Sequence, residues 1–139
     1  MNIDSIHNGI VIDHITAGQA MRLYTLLGLD ALDASVAIIK NASSKKMGKK
    51  DIIKIDTAIP VDLDIIGFVD PGATVNVIRD GKLAEKRKPN RPARLVNVLR
   101  CRNPRCITTC EQELDQIFFL IGETGEYRCL YCETKASVL

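Results

Sequence analysis

The chain has no tryptophan, and its three tyrosines and three phenylalanines make aromatics only 4% of 139 residues. Any core must therefore be built from Ile, Val, Leu and Ala. A surface that stacks single-stranded bases on aromatic rings is disfavoured for the same reason. No apolar run approaches the roughly 20 residues of a membrane span. The opening stretch MNIDSIHNG has neither the basic nor the apolar region of a secretory leader. The sequence also lacks a P-loop, a Gly-rich dinucleotide fingerprint and a Ser-His-Asp order. These absences predict a soluble, cytoplasmic protein with no membrane partner and no familiar catalytic motif.

The excess of one sign of charge is small, a formal net +2, but the basic residues are unevenly placed. Residues 40–94 hold 13 of the 19 Lys and Arg, in two clusters at 45–54 and 82–94. From Leu95 onward there are five basic residues against six acidic ones. All five cysteines lie between 101 and 132. This division predicts two units, residues 1–90 and 95–139, with KPNRPAR (88–94) as the linker.

GIVIDHIT (9–16) is a β-branched run opened by glycine and reads as a strand. Thr16 and Gln19 fit a capping box. The helix after it puts Ala17, Ala20, Met21, Tyr24 and Leu27 on one face, and Gly28 is placed to end it. Strands are expected at 34–40 and 51–57 around a polar hairpin tip. A short helix follows Pro60, and a strand at 73–79 turns at Asp80-Gly81 into a strand at 82–88. The order βαββαβ plus one strand is the ferredoxin-like plan, an α+β fold whose antiparallel sheet carries both helices on one face. The last third is expected to be a small all-β domain, with strands at 95–100, 117–121 and from Glu126 to Cys129.

Cys101 and Cys106 form a C-x4-C arm, and Cys129 and Cys132 a C-x2-C arm, 22 residues apart. Thiolate pairs in two tight turns supply the four soft ligands that tetrahedral Zn²⁺ takes. Four thiolates close the shell, so one structural zinc per chain is expected rather than a catalytic one. Cys110 reads as a spare thiol beside the site. Lys50, Lys54, Lys86 and Lys88 are expected on neighbouring strand segments, where their ammonium groups suit phosphate. Asp13 and His14 are consecutive on a strand and are expected to point to opposite faces. A zinc-ribbon nucleic-acid-binding protein is the alternative suggested by Arg100, Arg102 and Arg105 around the first arm. The acidic balance of the last third opposes it.

GIVIDHI, MGKKDIIKI, ATVN, NVLRCRNPRC and CLYC, in that order, resemble the regulatory chain of aspartate carbamoyltransferase over nearly the whole sequence. The resemblance implies a non-catalytic allosteric subunit of pyrimidine biosynthesis. In it, an N-terminal domain binds CTP, UTP and ATP, and a zinc domain docks on catalytic chains. Two regulatory chains pair as a homodimer through their N-terminal domains, and three such dimers join two catalytic trimers. Carried over by motif, Asp4, Ser5 and Ile6 would contact the base and Val11 would pack on it. Asp13 would reach ribose or base, with His14 next to the phosphates. Lys54 would contact ribose or base with Lys50 close by, Asn76 would line the site, and Lys86 would hold the phosphates.

Overall fold

The computed structural model describes residues 6–122 and 125–136. The chain divides into two compact units, residues 1–90 and 91–139. In the first, β1 (Gly9–Thr16), α1 (Ala20–Leu26), β2 (Val36–Ser44), β3 (Gly48–Ile55), α2 (Leu63–Val69), β4 (Thr74–Arg79) and β5 (Lys82–Arg87) follow one another. The five strands form one antiparallel sheet in the order β2-β3-β1-β4-β5. Ile10, Ile12 and Ile15 of β1, Ile53 and Ile55 of β3, and Val75 of β4 share a buried cluster with Ala20 and Leu23 of α1 and Ile66 of α2. Both helices therefore cover one face of the sheet, as the ferredoxin-like plan requires.

Strand alternation assigns the opposite face. Val11, Lys54 and Asn76 lie between the buried positions and are only half-buried. They look away from the helices. No side chain is tolerated at Gly9, where a Cβ would run into the Ile55 carbonyl of the neighbouring strand.

Several local expectations are corrected. Thr16 ends β1 and does not cap α1; the helix N-cap is Gln19, without a side-chain bond. Its role falls to Asp51, a fully buried carboxylate on β3. Oδ2 of Asp51 accepts from the amides of Gly18 (2.9 Å) and Ala20 (3.3 Å), and Oδ1 from Asn41 (3.0 Å). Met21 is 48% exposed and Leu23 takes the buried place instead, because α1 presents the Ala20–Leu23–Leu27 stripe to the sheet. Strands β2 and β3 run to Ser44 and from Gly48, which shortens the hairpin tip to three residues. Gly28, just past the Leu27 C-cap, stops α1 as expected at φ +69°, and a 3-10 turn, Leu29–Ala31, follows it.

The second unit contains β6 (Arg94–Val96), α3 (Ile107–Cys110), β7 (Ile117–Ile121) and β8 (Glu126–Cys129), with a three-stranded antiparallel sheet in that strand order. The expected strand 95–100 ends at Val96. Asn97 takes φ +57° and turns the chain, while its amide side chain bonds both Asp115 and the Gln116 amide. Arg100 and Cys101 therefore arrive on a loop. Among the described residues, Leu95, Phe118 and Tyr127 are the buried large apolar side chains of this unit other than cysteines.

Candidate functional site

The outer face of the first sheet is assembled by register. Lys54 of β3 pairs with Val11 of β1, Val11 with Asn76 of β4, and Asn76 with Lys86 of β5. Directly paired residues share a face. These four positions thus form one row across four strands. Lys86 is directed to this side because its neighbours Glu85 and Arg87 pair with each other at 2.7 Å on the other. The expectation that Lys54 and Lys86 lie on neighbouring strands is corrected, because β1 and β4 stand between β3 and β5. The two lysines lie three strand spacings apart, roughly 14 Å, so a ligand bound by both is extended along the row. Lys88 lies just past the end of β5.

Asp13 and His14 sit at a β-bulge. The register with β3 shifts between Ile12 and Ile15, both of which are buried, and His14 takes φ +56°. The extra residue breaks the alternation. The two side chains therefore do not point to opposite faces. Asp13 pairs with Thr74, and the His14 ring reaches the Thr74 hydroxyl through Nδ1 at 3.0 Å, which brings both onto the outer face. Asp13 also bonds Lys50 Nζ at 2.9 Å and the His14 amide at 2.6 Å. Burial raises the Asp13 pKa, but the Lys50 ammonium and the His14 amide outweigh it and hold the carboxyl below its ordinary value.

Ile6 is half-buried, and its side chain lies over Gly9, next to Val11 on the same face. Asp4 and Ser5 lie outside the described residues. His7 and Asn8 are drawn to the β4–β5 turn, where Gly81 N–H bonds the His7 carbonyl at 2.8 Å and Asp80 N–H bonds Asn8 Oδ1 at 3.1 Å. Thr74 is the residue of this face that sequence reasoning missed. Its position in ATVN was visible, but its contact depends on the bulge.

In the second unit, Sγ atoms of Cys101, Cys106, Cys129 and Cys132 all lie within 4.8 Å of one another. Cys101–Cys132 is 3.5 Å and Cys106–Cys129 is 3.8 Å. A tetrahedron with metal–sulfur bonds of about 2.3 Å has edges of about 3.8 Å. The donor set and spacing fit a metal ion. Burial, joined by the neighbouring thiols, pushes Cys101 up to about 12 against the pull of the Asn103 amide, and burial likewise raises Cys129. At Cys132 burial is outweighed by the Thr134 hydroxyl and amide, the Asn103 side chain and the Cys101 thiol, and the pKa falls to about 6. Four thiolates this close need a cation between them. Cys110 is exposed on α3 and outside the cluster.

Residues 1–90 match the family described as aspartate carbamoyltransferase regulatory chain, allosteric domain, and residues 93–138 match the metal-binding domain of the same chain. The chain is 47% identical over 139 residues to the aspartate carbamoyltransferase regulatory chain of Bifidobacterium longum, covering 99% of this chain and 100% of that one. It is 48% identical over 134 residues to that of Clostridium botulinum (96% and 92% covered), and 44% identical over 135 residues to that of Clostridium tetani (96% and 94%).

The chain belongs to the aspartate carbamoyltransferase regulatory-chain family.

The two matched domains of this regulatory chain are allosteric and metal-binding, and neither is catalytic. Among the described residues, no helix is long and apolar enough to cross a membrane.

Proposed function

We propose that this regulatory chain senses nucleoside triphosphates, CTP, UTP and ATP, on the outer face of its N-terminal sheet. It would transmit their binding to aspartate carbamoyltransferase catalytic chains through a zinc-stapled C-terminal domain. The observation that carries the proposal is the row Lys54–Val11–Asn76–Lys86, with Asp13, His14 and Lys50 beside it. Each residue type suits one part of a nucleotide. Lys86, at the open end of the row, places an ammonium for the phosphates, and His14, held through Nδ1 by Thr74, offers Nε2 to them. Val11 and Ile6 give a flat base an apolar wall. Asp13 accepts from ribose hydroxyls or a base amino group, and its pair with Lys50 keeps it ionised. Lys54 and Asn76 add donors between base and phosphates, while Asp4 and Ser5 belong to the N-terminal stretch assigned to the base.

Zn²⁺ held by Cys101, Cys106, Cys129 and Cys132 supplies a dication that neutralises the thiolates and cross-links the two loops. The unit then presents a folded surface to a catalytic chain. Regulatory chains pair as homodimers. Effectors act by binding one state of the assembly more tightly than the other.

Calorimetric titration with CTP, UTP and ATP tests the site. Lys86→Ala and Lys54→Ala should each weaken triphosphate binding by about 1.5–3 kcal/mol, the range for a hydrogen bond to a charged group. Lys86→Ala should leave the affinity for the bare nucleoside alone. Unchanged affinity in both variants refutes the assignment.

A further inference from the structure

A zinc ion with four thiolates carries a net charge of −2, and sulfurs that bear it need hydrogen-bond donors. The fold provides a donor to each sulfur, in two matching ways. The first cysteine of each arm is served by backbone amides two or three residues on: Asn103 for Cys101, and Tyr131 and Cys132 for Cys129. The second cysteine of each arm is served by a threonine hydroxyl two residues on, and Cys132 also by the Thr134 amide and the Asn103 side chain. Thr108 Oγ1 is 3.1 Å from Cys106 Sγ, and Thr134 Oγ1 is 3.1 Å from Cys132 Sγ. Once the sulfur is a thiolate it has no proton, so the hydroxyl must be the donor. Thr108 is 3% exposed, a buried hydroxyl with this sulfur as its partner. Gln116, just before β7, fixes the same loop, accepting from the Cys101 amide at 2.9 Å and donating to the Thr108 carbonyl at 3.3 Å.

We propose that Thr108 and Thr134 are paired positioning residues of the metal centre, whose hydroxyls donate to the Cys106 and Cys132 sulfurs, fix their orientation toward the ion and slow metal release. The inference rests on the metal reading above and deepens it. Hydrogen bonds around a ligand orient it and tune its basicity, and their loss typically costs 10–100-fold in metal affinity. Thr109 supplies a control from the same helix. Its hydroxyl bonds the carbonyls of Asn103, Pro104 and Cys106, at 3.3, 3.0 and 2.6 Å, rather than a sulfur.

The test uses the full chain loaded with Co²⁺, read by the sulfur-to-cobalt charge-transfer band and by the rate of cobalt transfer to excess EDTA. Thr108→Val and Thr134→Val are each expected to release cobalt about tenfold faster and to move the band to lower energy, because an unbonded thiolate is the better electron donor. Thr108→Ser and Thr134→Ser should restore both readouts. Thr109→Val should leave the band in place even if it lowers thermal stability. Should Thr108→Val be too unstable to purify, Thr134→Val makes the same test at a half-buried position. Wild-type band and release rate in the valine variants would overturn this inference alone. A wild-type chain that takes up no cobalt would overturn the metal reading with it.

Discussion

Replacing Asp51 by alanine should do more damage than its place outside the Lys54–Val11–Asn76–Lys86 row suggests. The side chain is fully buried, and its two oxygens accept from three amides on two different segments, Gly18 and Ala20 at the start of α1 and Asn41 in β2. A buried donor left without an acceptor costs about 1–3 kcal/mol. Removing the carboxylate orphans three at once, although the space it leaves admits water to some of them. A total of about 3–5 kcal/mol follows by counting three donors toward the low end of that range. For a domain of this size each kcal/mol lowers Tm by about 4–8 °C, so the first unit should melt about 15–30 °C lower. Asp51→Asn keeps one oxygen but turns an NH2 toward at least one of the amides, and should fall in between. Urea and thermal unfolding of the zinc-saturated chain, followed by far-UV circular dichroism, measure both variants. An Asp51→Ala loss below about 1 kcal/mol would refute the reasoning, because one orphaned amide alone exceeds it.

Asp13 should make the first unit acid-sensitive. Its folded pKa is lowered, so its contribution is present above the unfolded value of about 3.9 and is lost as pH falls through the folded one. Asp13→Asn should flatten the urea midpoint against pH in that window, and Lys50→Met should shrink the acid-induced loss, because without the ammonium the folded pKa moves back toward the unfolded one. Gly9→Ala drives a Cβ against the Ile55 carbonyl and should lower stability by at least about 2 kcal/mol, read from the same melts. In the second unit, Cys132→Ser or prolonged chelation should abolish amide-exchange protection on β7 and β8 while leaving β1 and β3 protected. The few large apolar side chains buried there, Leu95, Phe118 and Tyr127, do not replace the metal.

Strand and helix order was legible because β-branched runs and turn residues alternate cleanly, and so was the cysteine pairing, because two short spacings leave one obvious grouping. What was hidden has specific causes. The bulge at Asp13–His14 follows from register against β3, a non-local property that no spacing within GIVIDHI encodes. The cap of α1 comes from Asp51, about 30 residues away in sequence, whereas Thr16 and Gln19 offered a local motif that the strand consumed. The burial of Leu23 in place of Met21 reflects the angle at which α1 meets the sheet. Asn97 ended β6 early through side-chain bonds to residues 115 and 116. Lys54 and Lys86 were recognisable as a basic pair, but their separation by two intervening strands needed the sheet order.

The central claim is that this chain makes a catalytic partner responsive to nucleotides. Mixing the zinc-loaded chain with the aspartate carbamoyltransferase catalytic trimer of the same organism, and following particle mass and activity with and without CTP and ATP, tests it most directly. A larger particle whose activity changes with nucleotide, and loses that response in Lys86→Ala, is the predicted result. A chain that forms no complex with the trimer, or a complex indifferent to every nucleotide, would contradict it.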